Sequence, residues 1–207
     1  MMNNPMNQFV FVDRIQTELE IFLQNPELSP AVLCFYGYPG IGKTSFAKYW
    51  AGQVASDVVY EPMNEKQNAT KGADVISCSV SLIPFVNSEE KPLSRVTVLD
   101  EFHNLAPKQQ DSFKVALESL SETERVIICL NTDSSKPLKR QLTTPILSRC
   151  HAIDFDVRQS ELAEFMRKCQ ARYSFLERDQ IRRLVPDQRA MTRENKLAEA
   201  RKRLRVA

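Results

Sequence analysis

The sequence predicts an α/β fold, a mostly parallel sheet flanked by helices and followed by a small all-helical lid, and three observations carry that reading. Short apolar runs recur at 32–36, 95–99 and 126–130, the pattern of strands covered on both faces. Helical segments alternate with these runs, as parallel strands require, because their crossover connections are long. Strand patterns stop after Asp156, and charged amphipathic helices run from Gln159 onward. The expected organisation is an α/β domain over 1–156 and a short helical lid domain over 157–207.

The elements follow in order. Residues 13–23 read as a helix whose Ile15, Leu19, Phe22 and Leu23 share a face, stopped by Asn25-Pro26. Val32-Leu33-Cys34-Phe35-Tyr36 is a buried strand that runs straight into glycine. A helix is expected from Lys43 to about Val54, and further strands at 58–62, 95–99, 126–130 and 152–155. Residues 64–92 are the least legible, mixing polar turns with an apolar patch at 75–86.

Composition narrows the classes. With 43% hydrophobic and 26% charged residues and five glycines, the 207-residue chain is neither disordered nor fibrous. A net charge of +2 demands neither nucleic acid nor an anionic surface as partner, so any DNA contact must come from local patches. The five cysteines are odd in number and lack CxxC spacing, which argues against a disulfide framework or zinc site and for a reduced, cytoplasmic compartment. No apolar run approaches a signal peptide or a membrane span, so no membrane partner is expected.

Gly37-Tyr38-Pro39-Gly40-Ile41-Gly42-Lys43-Thr44 fits the GxxxxGK[ST] phosphate loop in its required setting, after a strand and before a helix. Gly37, Pro39, Gly40, Ile41, Gly42, Lys43, Thr44 and Ser45 are the candidate ATP-binding set. Glycines let backbone N–H groups turn toward phosphate oxygens, Lys43 reaches the β- and γ-phosphates, and Thr44 can ligate Mg²⁺. The strand at 95–99 ends in Asp100-Glu101, at the sheet edge where ligands of such folds bind. Asp100 can hold the Mg²⁺ shell, and Glu101 can polarise the water that attacks the γ-phosphate. Alone, such a pair is as well a solvated turn; after an apolar strand in a chain with a phosphate loop it reads as a site. The next strand ends in Asn131, whose amide can orient that water, although an asparagine after a strand is usually a turn residue. His103, a lone histidine after a strand, reads as structural.

Together these residues resemble the AAA+ ATPases, and within them the clamp-loader small subunits of the bacteriophage and replication factor C kinds. The likeness runs through Leu99-Asp100-Glu101-Phe102-His103-Asn104-Leu105, Gln110, Ala116-Leu117-Glu118, Asn131 and Pro145-Ile146-Leu147-Ser148-Arg149-Cys150, and covers about 32–189. The resemblance implies that Arg149 reaches in trans into a neighbour's ATP site, that Asn131 is a sensor, and that Gln110 couples ATP sites to DNA. Val185-Pro186-Asp187-Gln188-Arg189 is similar to the lid motif whose arginine senses the γ-phosphate, which makes Arg189 a catalytic candidate.

The departures shape the expectation. The family's opening Tyr-Arg-Pro is missing, His103 stands where an acidic residue is usual, and no third helical collar is recognised. The implied partners are other AAA+ subunits or a collar-supplying subunit, a sliding clamp and primer-template DNA, and a compact chain of this kind suits a bacteriophage genome and its host's cytoplasm. Another AAA+ nucleic-acid ATPase, such as a helicase loader or transposition ATPase, and a non-hydrolysing scaffold are the alternatives. The basic residues Arg193, Lys196, Arg201, Lys202, Arg203 and Arg205 are interspersed with Glu194 and Glu199 and read more readily as a solvated helix face than as a phosphate-contacting one. Lys66, Lys71 and Lys108 stand as residues that can face a DNA channel, without an assignment.

Overall fold

The computed structural model describes residues 5–63, 73, 74, 76, 91–132 and 137–206. Five strands, β1 (Val32–Gly37), β2 (Ala55–Pro62), β3 (Leu93–Asp100), β4 (Glu124–Asn131) and β5 (His151–Asp154), form one sheet in the order β2-β3-β4-β1-β5. All four pairings are parallel. The register sets Gly37 opposite Asn131 and Pro62 opposite Asp100. The carboxyl ends of β1, β3 and β4 therefore open on one edge, with the strand order reversing around β1, the place where such sheets hold ligands.

The strands alternate their apolar side chains between two cores. On one face Leu33, Phe35, Val98, Ile127, Cys129 and Ile153 pack with Ile15 and Leu19 of α1 (Asp13–Gln24) and with Phe46 and Trp50 of α2 (Lys43–Val54). On the other, Cys34, Leu99, Val126, Ile128 and Leu130 pack with Phe102, Phe113, Leu117 and Ile146. Phe102 lies in the loop after β3, Phe113 in the turn between the short helices α3 (Pro107–Asp111) and α4 (Lys114–Glu118), Leu117 in α4, and Ile146 in α6 (Thr144–Leu147), which follows α5 (Leu138–Gln141). Burial on both sides is why β1, β3 and β4 read as continuous apolar runs instead of alternating ones.

Three helices follow β5: α7 (Leu162–Arg172), α8 (Arg178–Leu184) and α9 (Gln188–Val206). Phe165, Cys169, Ile181 and Met191 from them join the α1/α2 core. Polar ties reinforce the contact. The Glu164 carboxylate accepts from the Asp13 N–H at 2.7 Å, supplying the side-chain cap that Val12 at the start of α1 cannot. Lys168 Nζ donates to the Phe11 carbonyl at 2.8 Å, and Arg14 donates to the carbonyls of Asp154 and Asp156 while pairing with Glu161.

The elements depart from the sequence reading mainly in their bounds. The expected strand at 58–62 begins at Ala55, because α2 hands over to it without a loop and pairing with β3 recruits Ala55 and Asp57, which have little strand preference of their own. The strand at 152–155 is His151–Asp154. The poorly legible 64–92 segment lies almost wholly outside the described residues, as do Lys66 and Lys71. Lys108 is exposed on α3. No helix among the described residues is long and apolar enough to cross a membrane.

Trp50 is the largest fully buried side chain, and its Nε1–H is satisfied by the Phe22 carbonyl at 3.0 Å. It joins α1 to α2. Trp50→Ala should therefore destabilise the chain by about 3–5 kcal/mol, read from the midpoint of a urea unfolding curve; a loss within about 0.5 kcal/mol, the range of surface substitutions, would contradict this account of the core.

Candidate functional site

The loop after β1 turns through three glycines with positive φ, Gly37 at 147°, Gly40 at 80° and Gly42 at 107°. These backbone conformations are strained for L side chains. At Gly40 an added Cβ would also stand 2.2 Å from Asp187 Oδ1 of the segment leading into α9, and that carboxylate would have to move. The loop ends at Gly42, and Lys43 begins α2, so the helix's unpaired N–H groups face the cavity.

Lys43 is almost fully buried. Its ammonium donates to the carbonyls of Gly37 and Tyr38, both at 2.7 Å, and to Asn131 Oδ1 at 3.0 Å. Burial pushes its pKa down from 10.5 to about 8, opposed by the charges of Asp156, Glu101 and Asp100. Asn131 Nδ2 donates in turn to the Glu101 carboxylate at 3.2 and 3.3 Å, so one asparagine joins the phosphate-loop lysine to the acid after β3.

Glu101 itself sits in the left-handed region, with φ 56°. A non-glycine residue held there stores strain of about 1–3 kcal/mol, a feature that clusters at functional sites. His103 steadies its side chain. The Asn131 N–H donates to His103 Nδ1 at 3.3 Å, which leaves Nε2 to carry the proton toward Glu101 Oε2 at 3.2 Å. Burial lowers the His103 pKa, so the imidazole is neutral at pH 7.

Asp100 lies one residue earlier. Its Oδ1 accepts from the Thr44 hydroxyl at 2.9 Å and from the Glu101 N–H at 3.0 Å, and its Oδ2 from the Tyr60 hydroxyl at 2.8 Å. A hydroxyl and a carboxylate in contact beside a phosphate loop form the hard-oxygen pair with which Mg²⁺ is held, the remaining positions going to water and phosphate. The residues thus fit Mg²⁺, with Thr44 and Asp100 as the candidates to hold it.

A cavity of about 540 Å³ covers the loop, within the range of small-molecule sites. Of the residues singled out in the sequence, Pro39, Gly40, Gly42, Lys43, Thr44, Ser45, Glu101, Asn131 and Arg189 line it. Gly37 stands behind the loop, and the Ile41 side chain is buried in the core, its carbonyl accepting from Gln188 Nε2 at 2.9 Å. Arg149 is not among the lining residues: its guanidinium contacts Glu118 and the Pro145 carbonyl outside the cavity. Gln110 is buried, its amide donating to the carbonyls of Leu105 and Gln141 and accepting from the Thr143 N–H at 3.0 Å. It brackets α3 against the turn between α5 and α6.

Sequence reasoning missed several residues of the site. Gln8, Phe9, Tyr173, Thr192, Arg193 and Lys196 line the cavity, which puts two members of the basic C-terminal run at its wall. Gln188 makes a three-way junction: Nε2 donates to the Val10 and Ile41 carbonyls at 2.6 and 2.9 Å, and Oε1 accepts from the Val10 N–H at 3.3 Å. Asp156 accepts from the Tyr38 N–H at 2.6 Å and the Thr132 hydroxyl at 3.0 Å. An acid just past an apolar strand was the signal for Asp100, and the same signal marks Asp156. Nothing in spacing marks the others.

Comparison with known proteins bears on this architecture. The model of the family described as ATPase family associated with various cellular activities (AAA) matches residues 33–157. No curated protein matches the chain. Among solved structures, the chain is similar to Thermotoga maritima RuvB, described as a Holliday junction branch migration motor, with a TM-score of 0.51 and 19% identity over 82% of this chain and 53% of that one. A variant of the same protein gives a TM-score of 0.52 at 19% identity, with 82% and 53% covered. At such identity the likeness concerns the fold, and the chain spans about half the length of the structures it matches.

The lowered Lys43 pKa gives the site a pH dependence of definite sign. A triphosphate favours the ammonium, so nucleotide affinity should fall as pH rises through about 8, by about tenfold between pH 7 and pH 9 if the neutral amine contributes nothing. The ligand-free protein responds oppositely. Between about 8 and 10.5 the unfolded chain holds the proton that folded Lys43 has lost, so this group's contribution to stability rises with pH. Melting curves with and without ATP should therefore converge from pH 7.5 to 9.5; a constant gap would refute the assignment of Lys43 as the phosphate partner.

Proposed function

This chain belongs to the AAA family of ATPases, and we propose that it is a loader-type subunit of a DNA replication machine. In this reading ATP binding assembles subunits around a sliding clamp and primer-template DNA, and hydrolysis releases them. The observation that carries the catalytic part is the connected network Lys43–Asn131–Glu101 beside the Thr44–Asp100 pair. It joins groups suited to the phosphates, the metal and the attacking water at one edge of the sheet. What supports the loader over other ATPases on nucleic acid is the ordered set of motifs ending in Ser148-Arg149-Cys150.

The reaction follows from the geometry. ATP would lie with its phosphates along residues 37–45, its β- and γ-oxygens facing the Lys43 ammonium and the α2 N-terminus. Glu101 would accept the proton of the attacking water, held in place by the Asn131 amide and the His103 N–H. The γ-phosphorus then bonds to the water oxygen as its bond to the β–γ bridging oxygen breaks, giving ADP and phosphate. Thr44 and Asp100 would hold Mg²⁺, which would supply charge neutralisation to the phosphates. Arg189, on the first turn of α9, meets the γ-phosphate from the lid side, 157–207 serving as that lid. Arg149 completes the site of a neighbouring subunit.

Two substitutions test the reading. Glu101→Gln should keep ATP affinity and lower turnover by about 10²–10⁴-fold, the usual contribution of a positioned base; turnover at the parent rate would remove Glu101 from the mechanism. Arg149→Ala should keep nucleotide affinity and lose only assembly-stimulated turnover, a term of about 10³–10⁵ for such fingers. The decisive assay is steady-state ATPase rate with primer-template DNA and the candidate clamp added together. Strong joint stimulation supports the loader, whereas stimulation by single-stranded DNA alone would assign the chain to another class of nucleic-acid ATPase.

A further inference from the structure

We propose that Tyr60 is a positioning residue for the Asp100 carboxylate, setting the affinity of the site for the divalent cation that accompanies the nucleotide. The inference rests on Asp100 as a partner of that cation, the reading given above, and extends it to a residue on a different strand.

Tyr60 lies on β2, an edge strand of the sheet. In the register it stands opposite Val98, and Asp100 stands opposite Pro62 two residues on. Alternation along paired strands puts Tyr60, Val98 and Asp100 on one face of the sheet, the face that carries Val98 into the α2 core. The hydroxyl consequently reaches Asp100 Oδ2 at 2.8 Å.

The two carboxylate oxygens are served from different sides. Oδ1 accepts from Thr44 and from the Glu101 N–H, groups of the phosphate-loop helix and of the chain itself. Oδ2 accepts from Tyr60 alone among the described residues. Donors on both oxygens fix the rotation of the carboxylate about its Cβ–Cγ bond, which donors on one oxygen leave freer. Groups that orient a metal-facing carboxylate commonly change metal affinity by about 10–100-fold when removed.

The ring is itself held. Lys48, one turn along α2 from Thr44, sets its ammonium 3.3 Å from the ring centroid, a cation–π contact that fixes the ring plane. Thr44 and Lys48 thus clamp Asp100 and Tyr60 from a single helix. The ring is 38% exposed, and core packing therefore accounts poorly for an aromatic at this position. Its most constrained atom is the hydroxyl.

Tyr60→Phe removes that one atom and leaves the ring under Lys48. Binding of a fluorescent ATP analogue would be titrated with Mg²⁺ and repeated in EDTA, for the parent chain, Tyr60→Phe and Asp100→Asn. The expected result is a roughly tenfold higher Mg²⁺ midpoint for Tyr60→Phe, unchanged analogue affinity in EDTA and a melting temperature close to the parent's. An unchanged Mg²⁺ midpoint in Tyr60→Phe, with Asp100→Asn shifted, overturns the role of Tyr60 and leaves Asp100 in place. If Asp100→Asn does not shift it either, the underlying reading of Asp100 fails together with the inference. A loss of analogue affinity in EDTA equal to the loss in Mg²⁺ would make Tyr60 a support of the phosphate loop and overturn the proposal as well.

Discussion

A buried ammonium is the constraint on which the centre of this molecule depends. Removing a charge from water costs several kcal/mol unless polar groups surround it, and Lys43 meets that cost with two backbone carbonyls of its own loop and the side-chain oxygen of Asn131. These partners lie where β1 and β4 are neighbours, with Gly37 and Asn131 in register. The strand order, the loop conformation and the lysine are therefore one arrangement: displacing β4 would remove the asparagine, and straightening the loop would remove the carbonyls. The compensation is incomplete, as the lowered Lys43 pKa records. Incomplete solvation is what leaves the ammonium with a reserve of favourable energy for a phosphate.

The helical segment after β5 is tied to this centre by polar contacts at two places. Near β5, Arg14 and Lys168 bind α1 to the backbone ahead of α7 and to α7 itself. At the cavity, Gln188 joins the N-terminal segment, the phosphate loop and α9 through one carboxamide, and the Arg189 N–H donates to the Gly40 carbonyl at 3.3 Å. The first group spans partly exposed charges, where individual pairs are worth about 0–1 kcal/mol. The Gln188 junction is buried, so breaking it would strand a donor and acceptors at about 1–3 kcal/mol each. Motion of α9 relative to the phosphate loop must either preserve that junction or replace its hydrogen bonds, which couples the position of Arg189 to the loop beneath it.

Legibility in the sequence followed the kind of constraint each residue obeys. The phosphate loop was readable because its chemistry fixes residue types at fixed spacing, and Asp100 with Glu101 was readable because an apolar strand delivered them to an edge. Lys43–Val54 and the central strands were equally clear, since burial on both faces leaves a plain apolar signature. The start of β2 was hidden, because Ala55 and Asp57 become strand only through pairing with Leu93 and Arg95. Gln188 was hidden for a related reason: a glutamine on a charged helix reads as surface, and its burial arises only where three distant segments meet. His103 read as structural. It does lie outside the lining of the cavity over the phosphate loop, yet its hydrogen bonds run to Glu101 and Asn131, so its structural part is played on two candidate catalytic groups.

Arg149 stands apart from all of this, and the weakness of its present contacts is informative. Its guanidinium meets Glu118 and the Pro145 carbonyl, and the Glu118 carboxyl is held below its ordinary pKa by that hydrogen bond. Glu118 is exposed on α4, and an ion pair in such a setting is worth little because water and salt screen it. A phosphate in a water-excluded interface would interact with the same guanidinium far more strongly. The exchange of Glu118 for a neighbour's nucleotide is therefore favourable in the proposed assembly, and its small cost falls on the free subunit. In the free chain the arginine is held by Glu118 and the Pro145 carbonyl, and the chain's own cavity has Arg189, whose N–H bonds the Gly40 carbonyl, among its lining. Hydrolysis in this reading would be slow in the isolated subunit by construction, since the residue best able to stabilise charge in the transition state is directed out of its own site.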